Sequence, residues 1–447
     1  MTRVAHLAFA LLLVGCRKPP PDASADAAPS RAITAPMTSS EAARPPIVLR
    51  VARALSPRTG AVIAPAFVTL RGSTIAAVDS TAPSEPFDDL GDDSTLLPGL
   101  IDAHAHLLHL VRADDEHSEV VEAITMSDAD RALRGVAFAR EMLESGFTTV
   151  RDLGNAGRGA DLALRRAIAK GWVVGPELFV SSRAIAPPFG QFPRLRPEYA
   201  TLVDDEYAIV RSEDDARRAA RELLAAGADW IKLIVDQGPS RTLTREEIAA
   251  AVEIAHGQGR KVAAHVLTDA AAARAVDAGV DSLEHAYEIS DATLREMARR
   301  RTYLVPTDYP RAFYDRFAVG PEAAAISAAL DAQRASAIDR LSRARRAGVP
   351  IAAGSDAYVD GPPGHRGKAA ALIFRAYAEA GLTPLEIVRA ATSNASDLLG
   401  LPASRGAIEA GGPADLVVVR GDPLANVDAL SSVLLVVRAG RIVHDVR

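Results

Sequence analysis

Between residues 96 and 354 the sequence alternates short apolar runs with longer segments of helical periodicity, and few folds accept that rhythm. The apolar runs are 96–104, 148–153, 177–181, 230–235, 261–265, 282–285, 303–306 and 350–354. Helix-like stretches lie between them, among them 130–145, 213–226, 245–258 and 322–347. Gly146, Gly227 and Gly279 follow helical runs, where a helix C-terminus places glycine. Eight strands alternating with helices predict a (β/α)8 TIM barrel. A doubly wound sheet shares the pattern, because periodicity along a chain does not reveal closure.

Both ends of the chain read differently. Segments 47–54, 66–70 and 74–78 are strand-like, with a turn at 56–60, and so are 415–420, 433–438 and 441–444. Two β-rich ends around a different centre predict one small β unit built from 47–96 and 404–447, beside a barrel at 97–403.

The first 46 residues have their own logic. Arg3, the apolar run 7–14, Gly15 and Cys16 have the layout of a secretory signal at 1–16. The ending Leu13-Val14-Gly15-Cys16 resembles the lipobox of bacterial lipoproteins. That resemblance implies lipidation of Cys16 and a chain anchored in the bacterial cell envelope, facing the periplasm. The apolar run is too short to span a membrane, and no other stretch is long and apolar enough. Residues 17–46, rich in Pro, Ala, Ser and Asp, read as a disordered tether.

Cys16 is the single cysteine of the chain. A disulfide framework and a cysteine-built zinc site are therefore excluded. Any metal must be held by His, Asp, Glu or a modified Lys. The formal net charge of −6 points to no nucleic-acid partner. The arginines from Arg343 to Arg346 read as a solvated helix face.

In a barrel of this kind the chemistry sits at the C-terminal ends of the strands. Strand one ends in Asp102-Ala103-His104-Ala105-His106, strand five in His265, strand six in Glu284-His285 and strand eight in Gly354-Ser355-Asp356. Side chains two apart on a strand share a face, so His104 and His106 can reach one ion. Lys232 is misplaced inside an apolar run, where an unpaired charge is costly. It either snorkels or is paired with a carboxylate such as Asp229 or Asp236, or it is an amine of lowered pKa able to form a carbamate with carbon dioxide. Asp356 either caps a turn or stands beside a metal to take a proton from water.

Several stretches together resemble the amidohydrolase superfamily: Leu97-Pro-Gly-Leu-Ile-Asp-Ala-His-Ala-His106, Gly227-Ala-Asp-Trp-Ile-Lys232, Ala264-His265, Ser282-Leu-Glu-His285, Ala353-Gly-Ser-Asp356, and Thr392-Ser-Asn-Ala395 with Gly411-Gly-Pro-Ala-Asp-Leu416. The resemblance covers about 47–447 and implies a (β/α)8 barrel with a flanking β-sandwich. A lysine on strand four is similar to the imidazolonepropionase-like and Xaa-Pro dipeptidase-like branch with a carboxylated lysine. In that branch His104, His106 and Asp356 would hold one metal, His265 and His285 a second, and carboxylated Lys232 would bridge them. Two divalent ions, zinc by resemblance, are implied.

The segment Asp236-Gln237-Gly238-Pro239 departs from the Ser-Gly-Gly pattern of relatives, so the substrate is not carried over. His365 and Tyr287 are candidate substrate contacts, and His109 a candidate wall residue. His117, His256 and His444 read as surface or sandwich histidines. The implied activity is hydrolysis of a small amide or dipeptide-like substrate, with Asp356 moving the proton. A deaminase, or a lactone or ester hydrolase, would use the same ligands; a non-catalytic lipid-anchored binding protein would have lost some of them. A homo-oligomeric assembly is left open.

Overall fold

The computed structural model describes residues 45–111, 118–154, 157–238, 240–315, 318, 320–359 and 365–447. The 1–16 signal, Cys16 and all but the last two residues of the 17–46 tether lie outside the described residues, as does His117.

Seven parallel barrel strands run Leu100–Ala105, Phe147–Asp152, Glu177–Val180, Trp230–Ile234, Lys261–Thr268, Ser282–Glu288 and Tyr303–Val305. Backbone hydrogen bonds join them into a ring. Asp229 N–H donates to Val180 O at 2.8 Å, linking the third and fourth strands. Leu304 N–H donates to Pro350 O, and Ala352 N–H to Leu304 O, bringing in the eighth position. Ala103 N–H donates to Ala353 O (2.8 Å) and Asp356 N–H to His104 O (2.7 Å), which closes the ring. The barrel is therefore closed, and the doubly wound alternative falls away. The predicted eighth strand, 350–354, is reduced to a single bridge, Leu304 to Ile351.

The intervening helices start where the sequence supplies caps. Ser127, Ser212, Thr244 and Thr268 each accept a backbone N–H from the first turn of Asp128–Glu144, Glu213–Ala226, Arg245–Gly257 and Asp269–Ala278. Gly227 and Gly279 end two of them in left-handed conformation. No helix among the described residues is long and apolar enough to cross a membrane.

Both chain ends meet in two further sheets. One has the order Thr74–Asp79, Ala66–Arg71, Ile47–Val51, Asp88–Asp89. The other runs Arg441–Asp445, Val433–Arg438, Leu416–Arg420, Ser94–Pro98, Arg53–Ser56, Ala61–Ile63. Leu49, Leu70 and Ile75 of the first pack against Leu96, Leu416 and Leu435 of the second in a core of their own. This is the expected β-sandwich.

Two predicted strands are each broken in two. Residues 96–104 divide at Gly99: Ser94–Pro98 belongs to the sandwich and Leu100–Ala105 to the barrel. A Cβ at Gly99 would lie 2.0 Å from Thr148 Oγ1, so the close crossing needs glycine. Residues 47–54 divide at Ala52, sending Ile47–Val51 and Arg53–Ser56 to different sheets.

Candidate metal centre

The C-terminal ends of the barrel strands converge on one buried polar cluster. His104 and His106 project from the first strand end on one face, as alternation requires. Their Nε2 atoms lie 3.3 Å apart. Asp356 Oδ1 lies 3.0 Å from His106 Nε2 and 3.5 Å from His104 Nε2. Gly354 permits this approach, since a Cβ there would sit 2.8 Å from His104 Cβ.

The tautomers follow from the outer partners. His104 Nδ1 lies 2.7 Å from Glu284 Oε2, and His106 Nδ1 lies 2.9 Å from Gly154 O. A carboxylate and a carbonyl only accept, so both Nδ1 atoms carry the proton. Both Nε2 atoms then present lone pairs to each other and to a carboxylate oxygen. In that neutral form three lone pairs within 4.8 Å of one another repel unless a proton or a cation lies between them. Burial lowers the His106 pKa, but Asp356 outweighs it and raises it, the same pull that a bound cation would answer. The donor set suits a divalent ion, and outer-shell bonds of this kind are how metal-binding histidines are held.

His265 and His285 stand beside this trio. Their rings are 4.7 Å apart, and the His285 ring is 5.1 Å from that of His104. His285 Nδ1 bonds Thr307 Oγ1 at 2.7 Å and is 3.9 Å from Asp356 Oδ2. His265 Nε2 is buried without a hydrogen-bond partner, a costly state for a polar atom that coordination would relieve. Burial first, and then Lys232, hold the His265 pKa down to about 3, so its imidazole is neutral.

Alternation should send Glu284 and His285 to opposite faces, yet both face the cluster. The backbone explains it: His285 and Ala286 have φ of 67° and 53°. Thr307 and Asp356, at the ends of the seventh and eighth positions, are also left-handed, at 56° and 52°. Non-glycine residues enter this region at a cost, and functional sites are where it concentrates.

Lys232 is 2% exposed, with Nζ 3.5 Å from His104 Nε2. The two carboxylates first considered as its partners are engaged elsewhere. Asp229 bonds Arg165 at 2.5 Å, and Asp236 accepts from Leu267 N, Thr268 N and Thr268 Oγ1. Burial lowers the Lys232 pKa to about 8, against the pull of Glu284 and Asp356, so a fraction of it is free amine at neutral pH. Burial raises Asp356, but His104 and His106 outweigh it and leave it below its ordinary value.

With this geometry in view, the amidohydrolase family model matches residues 95–443. The chain belongs to the amidohydrolase family. Within it the chain falls in the imidazolonepropionase-, prolidase- and ochratoxinase-like branch. Ochratoxinase from Aspergillus niger is 29% identical over 74% of this chain and 71% of its own. A crystal structure of a prolidase complexed with N-methylphosphonate-L-proline superposes with a TM-score of 0.76 at 27% identity, covering 90% of this chain and 100% of that one. A Xaa-Pro dipeptidase with bound methionine in its active site superposes with a TM-score of 0.77 at 26% identity, over the same shares.

Two candidate substrate contacts of this amidohydrolase separate. Tyr287 stacks on His285 at 5.6 Å and is only partly buried, so it borders the cluster. His365 does not join it. Its Nδ1 accepts from Lys368 N at the start of helix Arg366–Ala371, and its Nε2 lies 3.8 Å from Glu144. Glu144 closes a helix that runs from the strand C-terminal side to the opposite end of the barrel. His365 is thus held away from the site, contrary to the expectation drawn from its glycine-rich loop. His109 is a wall residue: Tyr358 stacks on it at 5.6 Å and meets His106 edge-on at 5.9 Å. His256 pairs with Asp281 at the surface, and His444 lies on a sandwich strand, as expected.

Arg151, Thr307 and Tyr358 were not anticipated, and Glu284, seen at its strand end, was given no role. The signal that marked Lys232, a charge within an apolar run, also marks Arg151 and Glu284. Both are fully buried and bonded to each other at 2.9 Å.

Proposed function

We propose that this amidohydrolase cleaves the carbon–nitrogen bond of a small amide or dipeptide-like substrate with two divalent ions. His104, His106 and Asp356 would hold one and His265 and His285 the other, with Lys232, as a carbamate, supplying an anionic ligand between them. The observation that carries this reading is the convergence of two imidazole lone pairs and one carboxylate oxygen at the barrel mouth. The prolidase and Xaa-Pro dipeptidase relatives support a carbon–nitrogen bond as target.

The neutral Lys232 amine forms a nitrogen–carbon bond to carbon dioxide and releases one proton, which leaves an anion with two oxygens. Bound ions, zinc by resemblance, would lower the pKa of a water molecule and polarise the substrate carbonyl. Asp356 starts as a carboxylate, accepts the proton of the attacking water and delivers it to the departing nitrogen. The hydrogen bonds of His104 to Glu284 and of His106 to Gly154 fix both rings, so the site does not reorganise during the reaction. Tyr287, stacked on His285 with Arg340 over its ring, and Tyr358, stacked on His109, would form an aromatic wall beside the substrate.

A panel of Xaa-Pro dipeptides, other linear and cyclic amides, and lactones tests this. Turnover of a linear amide above that of every lactone is expected; hydrolysis of lactones alone overturns it. We propose also that Cys16 is lipidated and holds the enzyme on the bacterial cell envelope, facing the periplasm, on the strength of the Leu13–Cys16 motif. Labelled fatty acid should enter the wild-type chain and not Cys16→Ser; equal labelling of the two refutes the anchor.

A further inference from the structure

Glu284 lies behind His104, on the Nδ1 side of its ring. It is 0% exposed, as are Arg151 and Ser282, and His104 is 1% exposed. Its two oxygens have different partners. Oε2 takes the His104 Nδ1 proton at 2.7 Å. Oε1 takes Arg151 Nη2–H at 2.9 Å and Ser282 Oγ–H at 2.5 Å. Arg151 is itself fixed, donating from Nε to Ala103 O at 2.5 Å and lying 4.4 Å over the Trp230 ring. Ala103 immediately precedes His104, so one guanidinium braces both the carboxylate and the strand that carries its histidine.

We infer that Glu284 is a positioning residue that fixes the proton of His104 on Nδ1, and thereby sets the metal affinity of the His104, His106 and Asp356 position. The inference rests on the reading of His104 as a ligand. Its logic is donor and acceptor balance. An ionised carboxylate accepts at both oxygens, and every neighbour it has here donates. His104 is left with one available lone pair, on Nε2, the atom that faces His106 and Asp356. With an amide in place of the carboxylate the balance fails. If the amide oxygen faces His104, its NH2 meets the Arg151 guanidinium, donor against donor. If the amide flips to satisfy Arg151, its NH2 faces His104 Nδ1. That nitrogen must then accept, and the ring proton moves to Nε2, where it blocks coordination.

Glu284→Gln is therefore the informative change. Zinc is titrated into the demetallated full chain against a chromophoric chelator, and the His104 tautomer is read by 15N shifts in histidine-labelled protein. The zinc Kd is expected to rise about 10- to 100-fold, the scale on which outer-shell partners act. The His104 proton is expected to move from Nδ1 in the wild type to Nε2 in the variant. A purely structural role would change neither the tautomer nor the zinc affinity of chain that remains folded. Because the substitution leaves a buried guanidinium without its counter-charge, the pair Arg151→Met with Glu284→Gln is made alongside it. The pair removes the donor that opposes the amide NH2, so the amide oxygen can face His104. It is expected to regain folding, the Nδ1 proton and most of the zinc affinity, and a folded pair with the His104 proton on Nε2 overturns the inference.

Folded Glu284→Gln protein with a zinc Kd within threefold of wild type overturns the inference. So does a metal-free wild-type chain with the His104 proton on Nε2, a measurement that needs no variant. Wild-type chain that binds no zinc would refute the metal reading itself, which is a distinguishable failure.

Discussion

Replacing Asp356 with Asn keeps the shape of the side chain and removes its charge and its basicity. Asp356 sits in left-handed backbone at φ 52°, a conformation that Asn adopts readily, so the change adds no backbone strain. An amide oxygen can take the place of Oδ1 beside His106 Nε2 at 3.0 Å, but it cannot accept a proton. A positioned general base contributes about 10²- to 10⁴-fold to rate. At about 1.36 kcal/mol per tenfold, that is roughly 2.7–5.4 kcal/mol of barrier. Steady-state kinetics on an amide from the panel, with bound metal measured in the same samples, should show kcat lower by about two to four decades. The melting temperature should move by no more than about 2–4 °C, the scale of 1 kcal/mol. Asp356→Asn protein with equal metal content and more than a third of wild-type kcat would refute the assignment of proton transfer to this carboxylate.

Three further outcomes are expected. Lys232→Met removes the bridge, and metal analysis should then find no more than one ion per chain; two retained ions would contradict the bridging role. Arg340→Met strands Asp308, which is 5% exposed and accepts from Arg340 at 2.6 Å through both oxygens. Breaking a buried pair costs about 3–5 kcal/mol, readable in urea unfolding, and a loss under about 1 kcal/mol would contradict it. Burial pushes Glu122 up, but His109 and Arg134 outweigh it and hold its pKa at about 2, below an unfolded value of about 4.3. The folded value is the lower one, so this stability is complete above about pH 5 and drains as pH falls toward about 2. The stability gap between wild type and Glu122→Gln should shrink on acidification by up to about 3 kcal/mol, and a widening gap would contradict it.

The barrel was readable because strand and helix periods differ and each helix carries its own caps and stops. Closure was not, since it depends on backbone bonds between residues about 250 apart, Ala103 with Ala353 and His104 with Asp356. The breaks at Gly99 and Ala52 were hidden because apolar residues continue on both sides while the chain changes sheets. The six residues first grouped were visible as polar side chains at strand ends, and the structure brings all six together. His365 misled because a sequence shows its loop and not its direction; Glu144 and Lys368 hold it at the far end of a helix. Glu284 was given no role because alternation turns it away from its neighbour His285. Only the positive φ at His285 brings both inward.

The account depends most on metal at the convergence of His104, His106 and Asp356. Metal analysis of purified full chain, with activity followed through chelation and re-addition of zinc, tests it most directly. The prediction is two divalent ions per chain, activity lost with the ions and restored with them. Less than one ion per chain, with activity indifferent to the chelator, would contradict it.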